Sequence, residues 1–233
     1  MLFENSLISG VLIKRYKRFF VDIKLKDQII TAHCPNTGSM MGLLNPGNKV
    51  WVTKTNNQKR KLKYTLQIVE INGKKVGVNT HLTNKIVLHS LNKKKFKQFS
   101  ENLIIKPETK FGDNTRLDFL IVENQKKSFI EVKNVTLSRK KKLAEFPDSV
   151  TSRGAKHLKA LISAKKKGYN AYILFVIQRD DCDNFSIAKD IDPEYYKLLT
   201  SALKKNVKIL CYDCKFLTKS IELNKIIKIQ LDD

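Results

Sequence analysis

Two short stretches decide how the second half of this chain folds: RLDFLI at residues 116–121 and FIEVK at residues 129–133. Each places charged side chains within an apolar run that is otherwise typical of a buried strand. If the two runs pair as a β-hairpin, Glu131 and Lys133 share one face because side chains alternate along a strand. Asp118 then comes alongside from the neighbouring strand. The spacing therefore predicts two carboxylates and one ammonium group at a single point of a sheet.

This arrangement suits a divalent cation. Carboxylate oxygens are the ligands that hard cations such as Mg²⁺ prefer, and an adjacent ammonium group could position a water or stabilise charge on a phosphate. We therefore predict Asp118, Glu131 and Lys133 as catalytic residues, and Asp118, Glu131 and the upstream Glu108 as ligands of Mg²⁺ or Mn²⁺. The alternative is an ordinary exposed face of an amphipathic hairpin, and for Glu108 a solvated loop position.

The surrounding pattern alternates strands with helices. Residues 150–167 and 193–205 have helical spacing, and the apolar run at residues 171–177 has the length of a strand. Such alternation predicts an α/β domain with a partly parallel sheet. An acid in one strand, then acid-x-Lys in the next, then a helix, is the order found in the PD-(D/E)xK nuclease fold. We predict that residues 81–233 form such a nuclease-like α/β domain with a mixed sheet.

The first of these helices carries two further candidates. Arg153 and His157 lie four residues apart and so share one helical face, and we predict that they contact phosphate. The alternative is a plain polar helix face. Before the second helix, the acidic stretch at residues 180–190 is interpreted as a loop, with Asp192 and Pro193 as a helix cap.

The first 80 residues have a different character. They contain six extended segments separated by turn signals, including Asn72-Gly73. This number of strands fits a small closed barrel, and an OB-like barrel is the economical choice because it often binds oligonucleotides. Other small barrels match the periodicity equally well. The predicted architecture is α+β overall: a nucleic-acid-binding barrel at residues 1–80, then the α/β domain.

Charge points to polyanionic partners. The 233 residues include 45 Lys or Arg and 22 Asp or Glu, for a formal net charge of +23. Residues 1–80 hold 14 basic and 4 acidic side chains, so the barrel is the more basic part per residue. Binding to phosphate backbones is the expectation. A highly charged, soluble surface without a binding role is the alternative, since only seven of the basic residues are Arg.

One loop of the barrel, residues 33–42, combines shape with polarity. Pro35, Gly38 and Gly42 constrain its backbone, and several small polar side chains could hold a phosphate or a base edge. A tight loop with self-satisfied side chains is the alternative. The predicted nucleic-acid contacts are Arg15, Arg18, Asn36, Thr37, Ser39, Arg153 and His157.

Other features exclude whole classes of protein. The chain contains no run of about 20 apolar residues that could cross a membrane, and its first residues lack the order of a signal peptide. Four Cys in this length make no disulfide framework, so we expect a cytoplasmic protein. The Cys211-x-x-Cys214 pair is interpreted as buried small hydrophobes rather than a zinc site.

An ordered set of motifs resembles the bacterial and archaeal sugar fermentation stimulation protein family. The motifs are CPNTGSM at 34–40, RLDF at 116–119, EVKNVTL at 131–137, FPDSVT at 146–151, RG at 153–154, KHL at 156–158 and FVIQR at 175–179. The resemblance implies an N-terminal OB-fold, a C-terminal PD-(D/E)xK-like domain, non-specific DNA binding and a role in regulating sugar metabolism, particularly that of maltose. It also places Asp118, Glu131 and Lys133 at the nuclease-like signature.

Two functional hypotheses remain open at this point. The chain is a DNA-binding regulator, of transcription for example, with a metal-capable but idle site, or it is an active metal-dependent nuclease. RNA is an alternative partner to DNA, because OB barrels accept both. Gln178 and Arg179 fit a phosphate contact or a structural role equally, and the sequence does not indicate an oligomeric state.

Overall fold

The structure is a computed structural model, and it describes residues 1–112 and 115–231. Within these residues the strands are β1 Leu7–Tyr16, β2 Phe20–Lys24, β3 Ile29–His33, β4 Lys49–Lys54, β5 Tyr64–Ile71, β6 Lys74–Gly77, β7 Ile104–Lys110, β8 Arg116–Glu123, β9 Lys126–Val135, β10 Leu137–Lys140, β11 Leu143–Phe146, β12 Asn170–Ile177, β13 Asn184–Ile187, β14 Lys208–Phe216, β15 Ile221–Ile226 and β16 Lys228–Gln230. The α-helices are α1 Thr83–Asn92, α2 Ser152–Lys166 and α3 Pro193–Lys204, and a short 3₁₀-helix, Thr80–Leu82, precedes α1.

The first five strands close into a barrel that β6 extends. The strands pair in the order β3-β2-β1-β4-β5-β6, and a short parallel pairing of β3 with β5 closes the ring. Alternate side chains of each strand point inward, so that Leu12, Val21 and Val52 are buried in one apolar cluster. The predicted OB-like barrel is confirmed.

The second part is built on a six-stranded mixed sheet in the order β15-β14-β12-β9-β8-β7. Its centre is parallel, because β12 pairs in parallel with both β9 and β14. A parallel strand covered on both faces reads as a continuous apolar run, which explains the sequence of β12. Helices α2 and α3 pack against one face of the sheet, and α1 covers the other. The predicted mixed α/β architecture is confirmed.

Side chains set the start of both long helices. Thr151 caps α2 by accepting a hydrogen bond from the Gly154 backbone N–H at 3.0 Å. Asp192 caps α3 by accepting one from Tyr195, and Pro193 occupies the first turn, where its missing N–H costs nothing. The predicted cap at Asp192 is confirmed.

Five strands were not predicted from the sequence. They are β7, β10, β11, β13 and β15; of these, β10, β11 and β13 join β16 in a small four-stranded sheet. The interpretation of residues 180–190 wholly as a loop is wrong, because β13 lies inside this stretch and buries Phe185 and Ile187. Its two inward residues are too few to produce a readable alternation. Strand β7 lies at the sheet edge, is largely exposed and contains Pro107, so it lacks a strand signal.

None of the helices in the described residues is long and apolar enough to span a bilayer. The four cysteines are all free and buried. Burial raises the thiol pKa of both Cys211 and Cys214, so the two side chains behave as the small hydrophobes that the sequence analysis favoured.

Candidate active site

The hairpin of β8 and β9 brings the predicted carboxylates together. Pairing of the two strands ends at Phe119 and Ile130. Beyond that pair a side-chain hydrogen bond takes the place of the backbone hydrogen bonds between the strands. Asp118 Oδ2 accepts it from the Val132 backbone N–H at 2.7 Å. Its other oxygen, Oδ1, accepts one from Asn84 Nδ2 of α1 at 2.8 Å. Asp118 is thus fixed from two sides at the point where the strands separate.

Glu131 lies deeper and is only 2% exposed. Its Oε1 accepts a hydrogen bond from Lys133 Nζ at 2.7 Å and also contacts His157 Nδ1. Lys133 Nζ is itself 3.2 Å from His157 Nδ1, so the three side chains form one cluster. The second oxygen, Oε2, is buried and has no hydrogen-bond partner among the described residues. An unpaired buried carboxylate oxygen is costly, and it marks a position where a ligand would be stabilised.

The two carboxyl groups are held in different states. Burial and the nearby charge of Glu131 raise the pKa of Asp118 to about 6, despite its hydrogen bonds from Val132 and Asn84. Burial also acts to raise the pKa of Glu131, but the hydrogen bond with His157 and the charge of Lys133 outweigh it and lower that pKa. Glu131 is therefore ionised at neutral pH, and Asp118 titrates close to neutrality. Such a separation is typical of sites that handle protons.

The carboxylate oxygens of this site fit a hard divalent cation. Mg²⁺ commonly takes one or two carboxylates from the protein and leaves its other positions to water and phosphate. Asp118 and Glu131 supply two carboxylates, and the unpartnered Oε2 of Glu131 is available as a ligand. In the described part of the chain, no three His, Cys, Asp or Glu side chains are grouped so as to enclose a metal ion.

Glu108 faces the same cleft from β7. The pairs Pro107 with Phe119 and Thr109 with Leu117 flank it, which places Glu108 opposite Asp118 across the two strands. It is exposed, and its φ of 49° is left-handed, an uncommon backbone conformation for a residue other than glycine. Both residues line an open cleft of about 500 Å³. The role of Glu108 as a metal ligand stays a prediction.

Helix α2 brings its two predicted residues to different depths. His157 is buried against Glu131, whereas Arg153 is exposed at the rim of the cleft. Beyond Arg153 the cleft continues into a groove of about 560 Å³, which Lys110, Arg116 and Lys156 also line. A row of cationic side chains thus leads into the carboxylate site.

Several polar residues around the site were missed or left undecided by the sequence analysis. Asn84 positions Asp118 across a separation of 34 residues, and no local spacing indicates such a contact. Gln178 is buried and donates to Thr83 at 3.0 Å and to Asn134 at 2.5 Å. It therefore joins the start of α1 to β9, which favours the structural role. Arg179 is buried too, with its guanidinium paired to Asp181 and to the Thr136 carbonyl.

The barrel loop at residues 33–42 lies at the junction of the two parts of the molecule. Ser39 Oγ donates to the Asp148 carbonyl at 2.9 Å, and the Met40 backbone N–H donates to the Asp148 carboxylate at 3.2 Å. Asn36 is buried, and its side chain accepts from the Gly38 N–H. A Cβ added to Gly38 would lie 2.5 Å from the Asp148 carboxylate, so this close packing requires glycine.

Arg15 supports the same loop. Its guanidinium donates to the backbone carbonyls of Arg18, Asn36 and Gly38 at 2.9, 2.7 and 3.1 Å. Arg18, Thr37 and Ser39 are exposed. Arg15, Asn36 and Ser39 use their polar groups within the protein. Their assignment as nucleic-acid contacts stays a prediction.

Comparisons with known proteins agree with this architecture. A model described as the sugar fermentation stimulation protein RE domain matches residues 81–220, and one described as the SfsA N-terminal OB domain matches residues 13–78. A sugar fermentation stimulation protein homolog from Pelagibacter ubique is 56% identical over 98% of this chain and 99% of its own length. One from Maricaulis maris is 40% identical, over 99% of both chains. The solved structure of Pyrococcus furiosus SfsA in complex with Ca²⁺ superposes with a TM-score of 0.88 at 28% identity, covering 99% of this chain and 98% of that one.

Proposed function

Because this chain belongs to the sugar fermentation stimulation protein family, we propose that it binds nucleic acid and hydrolyses phosphodiester bonds at the Asp118–Glu131 site. The observation that carries the proposal is the state of Glu131 in an open cleft: an ionised carboxylate, 2% exposed, with one oxygen that has no hydrogen-bond partner among the residues that the structure describes. A fold that only needed this strand pairing would gain by placing an apolar residue there. The retained charge is best explained by a positively charged ligand.

A divalent cation is the ligand that these oxygens favour. Asp118 and Glu131 would hold it, with Glu108 as a further acid at the cleft edge. The Ca²⁺ complex of the Pyrococcus furiosus relative supports divalent-cation binding in this fold. We propose Mg²⁺ or Mn²⁺ as the working ion, which would neutralise developing negative charge and lower the pKa of a bound water.

The protein's own side chains would do the remaining work. Lys133 Nζ lies 2.7 Å from Glu131 and 3.2 Å from His157, so it presents a positive charge at the carboxylate pair. That charge would stabilise negative charge on the phosphate oxygens as the bond to the leaving oxygen breaks. His157 keeps Lys133 and Glu131 in one cluster. Asp118, whose pKa is about 6, can gain or lose a proton near neutral pH.

The nucleic acid would lie along the basic groove. Lys110, Arg116 and Arg153 line it next to the carboxylates, and the overall charge is +23. On the barrel, Phe19 is 42% exposed and stacks on His33 with ring centroids 6.5 Å apart, an arrangement that suits stacking on an unpaired base. We propose DNA as the partner, with RNA as the alternative, and the cytoplasm as the place of action.

A second candidate is binding without hydrolysis, in a regulator of sugar metabolism such as that of maltose. The observation that favours it is the internal pairing of the site, since Lys133 and His157 both contact Oε1 of Glu131. A cluster that is partly satisfied within the protein could remain as a structural element of a DNA-binding transcription regulator.

One experiment separates the two functions. Single-stranded, duplex and branched DNA and RNA are incubated with the protein and Mg²⁺ or Mn²⁺, with EDTA as the blank. Asp118→Asn and Lys133→Met test the site, and Lys126→Met is the matched control, an exposed lysine at the far end of the same strand. We expect cleavage by the wild type and by Lys126→Met, and its loss in the two site variants.

Binding is measured in EDTA over a range of salt concentrations. If the wild type binds with steep salt dependence but cleaves none of the substrates, the regulator function is favoured. Equal cleavage by all variants would remove the catalytic assignment. Absence of binding at low salt, or binding that ignores salt, would contradict both functions, because phosphate contacts release counterions.

A further inference from the structure

A second cavity lies between the barrel and helix α1. Its volume is about 590 Å³, within the range of small-molecule sites. Barrel strands β3, β4 and β5 contribute one wall, and the N-terminal residues and the Thr80–Leu82 turn contribute the others. His81 lines both this cavity and the cleft that holds Asp118 and Glu131. The two spaces are therefore neighbours on either side of one residue.

Hydrogen-bond donors predominate on the walls. Arg60 donates one N–H to Thr65 Oγ1 at 3.0 Å, and within the described part of the chain its other four N–H groups are left for another partner. Thr65 and Thr53 each accept a hydrogen bond through their hydroxyl oxygens, so each hydroxyl proton is still free to donate. Among the described contacts, the His33 and His81 rings make no hydrogen bond. The cavity thus has several donors and few acceptors to meet them.

The charged side chains around the cavity are mainly positive. Arg60, Lys85 and the two imidazoles line it, and Glu4 is the only acid among its described lining residues. Glu4 is already paired, with its carboxylate 2.7 Å from Lys85 Nζ. His33, Arg60 and His81 all line this cavity, and burial, followed by the charges of Arg60 and His81, lowers the pKa of His33.

A chain of hydrogen bonds forms the floor of the cavity. Asn79 donates to the Gln67 side chain at 2.8 Å, and Gln67 in turn donates to Thr53 at 2.8 Å. The His81 backbone N–H donates to Asn79 Oδ1. This chain of bonds ties β4, β5 and the Thr80–Leu82 turn together before any ligand enters, so the donors are already in place.

We infer that this cavity binds a phosphate monoester, through Arg60, His33, His81 and the Thr65 hydroxyl. At neutral pH the non-bridging oxygens of a phosphate monoester act mainly as hydrogen-bond acceptors. The group also carries the negative charge that the cavity walls lack. Two sources share this chemistry: the terminal phosphate of a strand whose chain runs past His81 into the carboxylate cleft, and a free nucleotide. The first source rests on the proposed function, and the second does not.

The test uses the full chain in EDTA and two probes. The first probe is adenosine monophosphate alone, followed by NMR of the four histidine rings. The second is a single-stranded oligonucleotide carrying a 5′-phosphate, a 3′-phosphate or hydroxyls at both ends, followed by fluorescence anisotropy. Arg60→Gln removes one charge from the cavity. Lys59→Gln is the matched control, an exposed neighbour in the same loop that does not line the cavity.

We expect the monophosphate to shift the ring signals of His33 and His81 and to leave His89 unchanged. Arg60→Gln should weaken this binding about tenfold, as expected for loss of a charge-assisted hydrogen bond, and Lys59→Gln should not. A terminal phosphate that tightens oligonucleotide binding by a similar factor assigns the cavity to a strand end. A response to the monophosphate alone assigns it to a free nucleotide, and both results support the inference.

Two results would overturn it: no shift of either ring together with no effect of the end group, or equal losses in Arg60→Gln and Lys59→Gln. The monophosphate measurement contains neither nucleic acid nor a metal. It therefore reports on the cavity even if the protein cleaves nothing.

Discussion

The carboxylate site and the barrel loop are both rich in polar groups, yet the protein treats them in opposite ways. In the loop, the polar groups of Ser39 and Arg15 are matched by acceptors within the protein. In the site, one oxygen of the buried Glu131 has no hydrogen-bond partner within residues 1–112 and 115–231, and the pKa of Asp118 is raised to about 6. A polar cluster that satisfies itself stabilises the fold. One that leaves a buried carboxylate oxygen without a hydrogen-bond partner points to a ligand.

Removing one polar side chain from each region should distinguish the carboxylate site from the barrel loop most clearly. We expect Lys133→Met to lower the rate of metal-dependent cleavage by about 100- to 1000-fold, the usual cost of losing one preorganised electrostatic group. Ser39→Ala, which loses its bonds to Asp148 and the one that its hydroxyl accepts from the Met41 backbone N–H, should retain the rate per folded molecule. Single-turnover cleavage of the preferred substrate gives both numbers. A rate loss in Ser39→Ala equal to that in Lys133→Met would place the loop in the active site.

The second prediction concerns the raised pKa of Asp118. Its pKa rises from 3.8 to about 6 on folding, so the folded protein binds the proton more tightly than the unfolded chain. This group therefore destabilises the fold increasingly as pH rises from about 4 to 6, by up to about 3 kcal/mol. Asp118→Asn does not titrate, so in EDTA it should gain stability over the wild type through this window.

Urea denaturation of both proteins at pH 4 and at pH 7 measures that difference. Groups distant from Asp118 titrate alike in both proteins and cancel, whereas Glu131, whose charge helps to raise the Asp118 pKa, contributes to the measured difference. The Asn84 amide can turn to accept from the new side chain, so the variant has no need to lose its hydrogen bonds. A stability difference that does not change between the two pH values would show that folding does not raise the pKa of the Asp118 carboxyl.

A third prediction sharpens the view of the loop as a structural junction. Gly38→Ala places a methyl group 2.5 Å from the Asp148 carboxylate, and we expect a loss of about 1–3 kcal/mol in the free energy of unfolding, as for other overpacked sites. In the Asp148→Ala background the same substitution should cost less, because the clashing group is gone. Additive effects in this double-mutant cycle would mean that the loop does not pack on Asp148 in solution.

The smallest effect distinguishes two arginines. Arg153 is exposed at the cleft rim, and its replacement by Gln should weaken nucleic-acid binding and reduce the slope of log affinity against log salt by about 0.9. The free energy of unfolding of the Arg153→Gln variant should equal that of the wild type. Arg15→Gln should instead lower stability, because its carbonyl contacts to Asn36 and Gly38 are lost. Anisotropy titrations and urea curves together decide between these assignments, and exchanged outcomes would contradict both.

Much of this architecture was predictable because its signals are local. Strand β4 and the β5–β6 hairpin follow from alternation and from the Asn72-Gly73 turn, and β12 follows from its uninterrupted apolar run. The face shared by Glu131 and Lys133 follows from the period of a strand. Strands β10, β11 and β13 are each four residues long and, unlike the equally short β6, have no Asn-Gly turn beside them. Only their pairing in the small sheet with β16 makes them strands.

The sequence by itself determined the two-part architecture and the identities of Asp118, Glu131 and Lys133 as the candidate site, because strand and helix periods act over a few residues. Only the tertiary structure decided which polar groups are left unmatched. Asn84 reaches Asp118 and Asp148 reaches Ser39 across 34 and 109 residues, and the cavity beside His33 exists only where the barrel meets α1. Hydrogen-bond satisfaction depends on such distant neighbours, and no local pattern records them.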